Sequence, residues 1–271
     1  MSSVCAIEGD QVSLSVADEK EVLEFAAEAG YVLLENGAEI SRVEETVTRI
    51  CTYYGVHNEH LFVLSNGIFF SGDPDSPRPY AQVRHCPVKS PQLNRVIAVN
   101  QLSREIETGH CSLDEARCRL EAIKMLSPPS DGLQVLVSGI GSACFCFLFG
   151  GDLWDSVASF LAGGLLYIFM LKVAFSHLSK IVGTVAGGIV LTLACLMYSG
   201  VGLGTHLDRM IVGAIIPLIP GVPFTNGVRD IARGDYISGP VRLLDAMLTF
   251  LCIAVGVGVA LSACRQLGGV F

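Results

Sequence analysis

The chain has 271 residues, 51% of them hydrophobic, with a formal net charge of −8 and a mean hydropathy of +0.53. Such apolarity excludes an ordinary soluble domain and indicates an integral membrane protein. An acidic chain without a Lys/Arg cluster gives no footing for nucleic-acid binding.

The charge is divided unevenly. Residues 1–130 hold 19 Asp+Glu and 11 Lys+Arg, a net of −8, whereas residues 131–271 hold seven of each. This division predicts a soluble domain over 1–130, read below as α+β and cytoplasmic, followed by a transmembrane domain over 131–271. The N-terminal stretch has neither a basic segment nor an apolar one, so no cleaved signal peptide is expected. The ten cysteines form no C-x-x-C pair, which points to reduced thiols acting as small apolar fillers.

In the first domain, Val22, Phe25, Ala26, Ala29, Val32 and Leu33 share one helical face between Asp18 and Asn36. Asp18 and Glu21 resemble a capping box, and Asn36-Gly37 supplies a stop. A second capping box at Ser41–Glu44 predicts a helix with Val43, Val47, Ile50 and Tyr54 inward, ending at Gly55. Short strands are expected in "LFVLSNGIFFSG" and "YAQVRHCPV", with turns at Asn66-Gly67 and Asp73–Pro79. A third helix follows Ser90-Pro91 with Leu93, Val96, Ile97, Asn100 and Ser103 along it, and a fourth runs from Ser112 to Leu126. Residues 127–132 read as a linker.

Chemistry is sparse in this half. His57, Glu59 and His60 lack the H-E-x-x-H spacing, and His85-Cys86, His110-Cys111 and Cys118 lack a usual zinc spacing. No catalytic residue, cofactor or metal site is assigned, and no nucleotide-binding motif is present to support direct ATP use. Arg42, between Glu39 and Glu45, reads as part of a solvated helix face with weak ion pairs.

Five apolar stretches follow, at about 133–150, 154–171, 181–199, 210–224 and 241–263. A bilayer core of about 30 Å takes about 20 helical residues, so all but the fourth are adequate or nearly so. Lys172, Lys180, Arg229 and Arg233 lie on alternate loops, which places the N-terminus in the cytoplasm and the C-terminus outside. Trp154 is expected at the outer interface. Small residues at Ser138, Gly139, Ser142, Gly163, Gly164, Gly183, Gly187 and Gly256 read as close helix packing.

The fourth stretch ends in "IIPLIPGVPFTNGVRD", where Pro217, Pro220 and Pro223 exclude a regular helix over 216–224. Backbone freed by such a break needs protein, water or substrate around it, as in discontinuous transporter helices. Thr225 or Asn226 is then expected to cap a short helix carrying Arg229, which serves either as an anion-docking group or as an interfacial side chain. Asp245, a carboxylate inside the fifth span, reads either as a proton-coupling group or as a partner of Arg242.

The stretches "PLIPGVPFTNGVRDIARGDYISGPVRLLDA", "LLENGAEISRVEETVTRICTYYGV" and "LNRVIAVNQLSREIETG" resemble the threonine/serine exporter family over nearly the whole chain. The resemblance is closest to that family's short split form, in which one subunit works with a small separate membrane subunit and is associated with succinate export. It implies a non-enzymatic secondary exporter of a small carboxylate metabolite in the inner membrane, with higher oligomers possible. It implies Pro217, Pro220, Gly221, Pro223, Asn226, Arg229 and Asp230 as pathway residues and Asp245 as the proton group. Threonine or serine is the alternative substrate; a regulatory subunit or a membrane-anchored enzyme is the alternative class.

Overall fold

The computed structural model describes residues 16–56, 60–72, 81–87, 91–109, 111–174 and 178–266. Its contacts divide the chain into two units: Met1–Ser127 with Thr225–Arg242, and Pro128–Phe224 with Leu243–Phe271. The expected boundary at 130/131 assigns no second segment to the first domain; the structure adds 225–242 to it.

The first unit begins with α1 (Val16–Glu35) and α2 (Ile40–Tyr53). The six positions expected to face inward on α1 are all buried, and so are Leu23, Ala27 and Leu34. At Gly30 the two helices approach so closely that an added Cβ would lie 2.7 Å from a Val47 methyl. The N-cap of α2 is Glu39 rather than Ser41, whose hydroxyl donates to the Glu39 carboxylate.

An antiparallel meander follows, β1 (His60–Leu64), β2 (Gly67–Ser71) and β3 (Ala81–His85), with Val63 opposite Ile68 and Phe62 opposite Phe69. The hairpin loop is Ser65-Asn66, one residue earlier than expected, because Gly67 pairs with Leu64. The anticipated turn at 73–79 lies outside the described residues, as do His57, Glu59 and His110.

Helices α3 (Leu93–Glu107) and α4 (Leu113–Lys124) complete the layer over the core. The inward face of α3 is Val96, Val99, Leu102, Ser103 and Ile106, while Leu93 and Ile97 are exposed. The expected stripe was therefore rotated about one residue from the real one. Ser112 caps α4 by accepting from the Glu115 amide.

In the second unit, α5 (Asp131–Leu148), α6 (Leu153–Phe169), α7 (Lys180–Gly200) and α10 (Ser238–Gln266) include the long apolar helices. Among the described residues, four helices are long and apolar enough to cross a membrane, α6 being counted through Val173 with its π turn. A fifth crossing is counted if α8 (Leu207–Ile215), its 3-10 turn (Ile216–Leu218) and α9 (Gly221–Ala232), bent by 67° at the break, form one span.

Small residues bring these helices together, since bilayer lipid offers no hydrophobic drive between them. An added Cβ on Gly213 of α8 would lie 2.6 Å from both Cys146 of α5 and Ser159 of α6. The Ser159 hydroxyl donates to the carbonyls of Ser142 (3.1 Å) and Met210 (3.3 Å), and that of Ser138 to Gly163 (3.0 Å). Gly187 of α7 faces Leu166, Met170 and Leu218, and Gly188 meets Gly256 of α10 backbone to backbone.

The crossing at Gly256 is testable, because an added Cβ there would overlap the Val185 carbonyl oxygen whereas at Gly258 it meets open space. Gly256→Leu is expected to lower the stability of the detergent-solubilised protein by about 1–3 kcal/mol, and Gly258→Leu to leave it within about 0.5 kcal/mol. Thermal unfolding followed by circular dichroism measures the difference.

Candidate functional site

The three prolines act one carbonyl at a time. Each removes the amide that would bond to the carbonyl four residues back, leaving Gly213, Ile216 and Ile219. Each of those carbonyls accepts instead from a nearer amide: Gly213 from Ile216, Ile216 from Ile219 (3.1 Å), and Ile219 from Gly221 (2.8 Å). The expected unpaired backbone is therefore not found at these positions, because two 3-10-type bonds and one γ-turn bond tighten around the break. The fully extended residue is Ile219, with ψ 123°. Pro223 stands in the first turn of α9, where no amide is needed.

Helix α9 begins at Gly221, so Thr225 and Asn226 lie within it rather than capping it. The spacing of Asn226, Arg229, Asp230 and Arg233 places them on one helical face. All four contact the turn between α1 and α2. The Asn226 amide donates to the Gly37 carbonyl at 3.0 Å. Arg229 donates to the Glu39 carboxylate at 2.9 Å, and Arg233 donates to the same carboxylate and to the Ser41 hydroxyl. Asp230 pairs with Arg242 at 3.1 Å, and Arg242 also donates to the Ala38 carbonyl at 3.1 Å.

Glu39 is only 5% exposed, while the side chains of Arg229 and Arg233 are each 54% exposed. The solvated helix face expected around Glu39 is thus replaced by a buried carboxylate. Burial raises the affinity of Glu39 for a proton, but its bonds from Arg229 and Ser41 and the charge of Arg233 outweigh this and hold its carboxyl below the ordinary value. Two guanidiniums converge on one carboxylate, and a further acid, Asp235, stands near enough to act on both Asp230 and Arg242 and to add to the burial that pushes the Glu44 carboxyl up. The buried Asp230–Arg242 pair beneath this cluster is neutral.

Asp245 is not paired with Arg242. Its two carboxylate oxygens accept from Lys180 at the start of α7, at 2.6 and 2.5 Å. Arg242 is drawn away by Asp230, which is 1% exposed and needs the counter-charge more. Sequence reasoning missed Arg233, Ser41 and Lys180, since only the fold brings their partners near. Glu39 stood in the quoted "NGAEIS" stretch, but nothing local marked it as buried.

Residues 24–263 match the family described as "Putative threonine/serine exporter" (ThrE). The "Probable succinate transporter subunit YjjP" of Klebsiella aerogenes is 26% identical over 248 residues, covering 91% of this chain and 95% of that protein. YjjP of Escherichia coli K12 is 25% identical over 258 residues, covering 92% and 97%. The "Threonine/serine exporter" of Corynebacterium glutamicum is 25% identical over 250 residues, covering 89% of this chain and 50% of that protein. No solved structure gives a significant match. With long apolar helices in its second unit and a family match over nearly its whole length, this multi-pass membrane protein belongs to the threonine/serine exporter (ThrE) family.

Proposed function

We propose that the chain is one subunit of an inner-membrane secondary exporter for a small carboxylate, with succinate the leading substrate and threonine or serine the alternative. The observation that carries this reading is the pair Arg229 and Arg233, which stand on the family-bearing segment, converge on one carboxylate and remain half exposed. Each guanidinium has further N–H donors beyond those given to Glu39, and their planar forks suit a carboxylate. Glu39 orients the pair, and their remaining N–H donors receive the substrate carboxylate.

The similarity to relatives named as succinate transporter subunits supports succinate, and their name as subunits supports a separate partner. This chain spans half of the C. glutamicum exporter, which is consistent with a second membrane subunit supplying the complementary half. In this reading the first unit lies in the cytoplasm and the C-terminus outside, following the basic loops. The broken span shapes the pathway, and Asp245 exchanges its ion pair with Lys180 for a coupling proton.

Cells lacking the chain, and complemented with it plus its partner, provide the test. Export of labelled succinate is expected to fall by roughly tenfold in Arg229→Ala and Arg233→Ala, each losing a charge-assisted contact of about 1.5 kcal/mol. Unchanged export of succinate, threonine and serine alike by both variants at normal abundance would refute the carboxylate site.

The Glu39 pairing predicts a pH signature in stability. Its depressed folded-state value makes its contribution complete above the unfolded value of about 4.3 and lost as pH falls through the folded value. Glu39→Gln is expected to cost roughly 2 kcal/mol at neutral pH, discounted for the exposed arginines, and progressively less in acid. Thermal unfolding across pH checks this.

A further inference from the structure

At the end of α7 remote from Lys180, a second charged cluster ties the α5–α6 turn to the segment before α8. Asp155 is completely buried although it sits near the start of an apolar helix. Its carboxylate accepts four N–H groups: Asp152 (3.0 Å), Thr205 (2.7 Å) and His206 (3.0 Å) from the backbone, and His206 Nδ1 at 2.7 Å. Asp152 closes a capping box by accepting from the Asp155 amide at 2.8 Å.

The arrangement settles the histidine's tautomer. A carboxylate holding four donors only accepts, so Nδ1 carries a hydrogen and Nε2 is the nitrogen left free of Asp155. The Thr205 hydroxyl, 3.0 Å from Nδ1, then accepts a share of the same hydrogen. The His206 side chain is 42% exposed, in contrast to its fully buried partner. This is the pattern of an imidazole whose one nitrogen is anchored and whose other nitrogen is open to exchange with water.

Around the ring stand Asp152 and Asp155 at the start of α6, and Asp208 and Arg209 follow on its own helix. Cys146 of α5 lies behind Asp155. Arg209 is occupied by the Gly150 carbonyl. His206 is the sole histidine among the described residues of the second unit. The side chains of Asp152, Asp155 and His206 lie close together: Asp155 accepts from four N–H groups and Asp152 from the Asp155 amide, while Nε2 of His206 stays open.

We infer that His206, oriented by Asp155, is a proton-accepting group of the transport cycle at the end of the bundle opposite Lys180–Asp245. This rests on the exporter reading given above. A proton from outside water bonds to Nε2, and the imidazolium charge is neutralised by the Asp155 carboxylate without any new burial of charge. The proton passes from Nε2 to a water molecule when the ring returns to its neutral form, so the group is restored each cycle. Lys180 and Asp245 sit about 30 Å along α7 from this cluster, by 21 residues at about 1.5 Å each, so the two sites exchange protons with different ends of the bundle.

The test is the dependence of labelled carboxylate export on external pH between about 7.5 and about 5.5, the range over which imidazoles exchange protons. His206→Asn is the informative variant, because its amide stands where Nδ1–H stands and keeps the bond to Asp155 while removing Nε2. The wild type is expected to accelerate roughly threefold or more on acidification, and His206→Asn to be nearly flat at wild-type abundance. Thermal stability of the purified variant, compared with that of Asp155→Ala, shows whether the anchor is kept; should His206→Asn unfold, His206→Gln takes its place in the same measurement. A histidine variant that folds and retains the wild-type pH profile, or a wild type indifferent to external pH, overturns the role of His206 while leaving the exporter reading intact. A wild type that exports none of succinate, threonine or serine with its partner present overturns both.

Discussion

A carboxylate withdrawn from water is costly unless cations and hydrogen-bond donors replace its hydration. Glu39 meets that demand through Arg229, Arg233 and Ser41. Much of the first unit's architecture follows from this one requirement. The α1–α2 turn presents Gly37, Ala38 and Glu39 to a helix almost two hundred residues away in sequence, and every partner on that helix falls on one face. Asp230 and Arg242 extend the same arrangement inward, so the segment 225–242 belongs with the first unit although it follows an apolar span.

The proline segment serves that placement. Pro220 and the extended Ile219 end one helix and begin another, and the bend of 67° redirects the chain. Because the carbonyls deprived by the prolines accept from neighbouring amides, the break is self-contained and needs no ligand to hold it open. Beyond the break, the polar side chains of α9 reach the α1–α2 turn.

In the second unit several buried polar side chains are matched, whereas the buried Ser142 hydroxyl has no hydrogen-bond partner among the described residues. Serines donate to carbonyls of adjacent helices where glycine allows backbone contact, and two acid–base pairs occupy opposite ends of α7. One pair, Lys180–Asp245, is half exposed on both sides; the other joins a wholly buried aspartate to a partly exposed histidine. Unequal exposure leaves Asp155 enclosed while the His206 ring reaches solvent.

Much of this was legible in the residues themselves. Span lengths follow from runs of apolar side chains, the α1 and α2 faces from a period of 3.6, and the break from proline's missing amide, since each depends on neighbours within a few positions. What required the tertiary structure was every pairing across long separation: Glu39 with Arg229 and Arg233, Asp230 with Arg242, Lys180 with Asp245, and Asp155 with His206. Asp245 had an arginine three residues away, yet the deeper burial of Asp230 claimed it, and no local pattern reports burial. The sequence by itself thus determined where the chain is apolar, where it must break and which charges it carries; only the fold decided which of those charges meet, because electrostatic partners are chosen by distance and desolvation rather than by spacing along the chain.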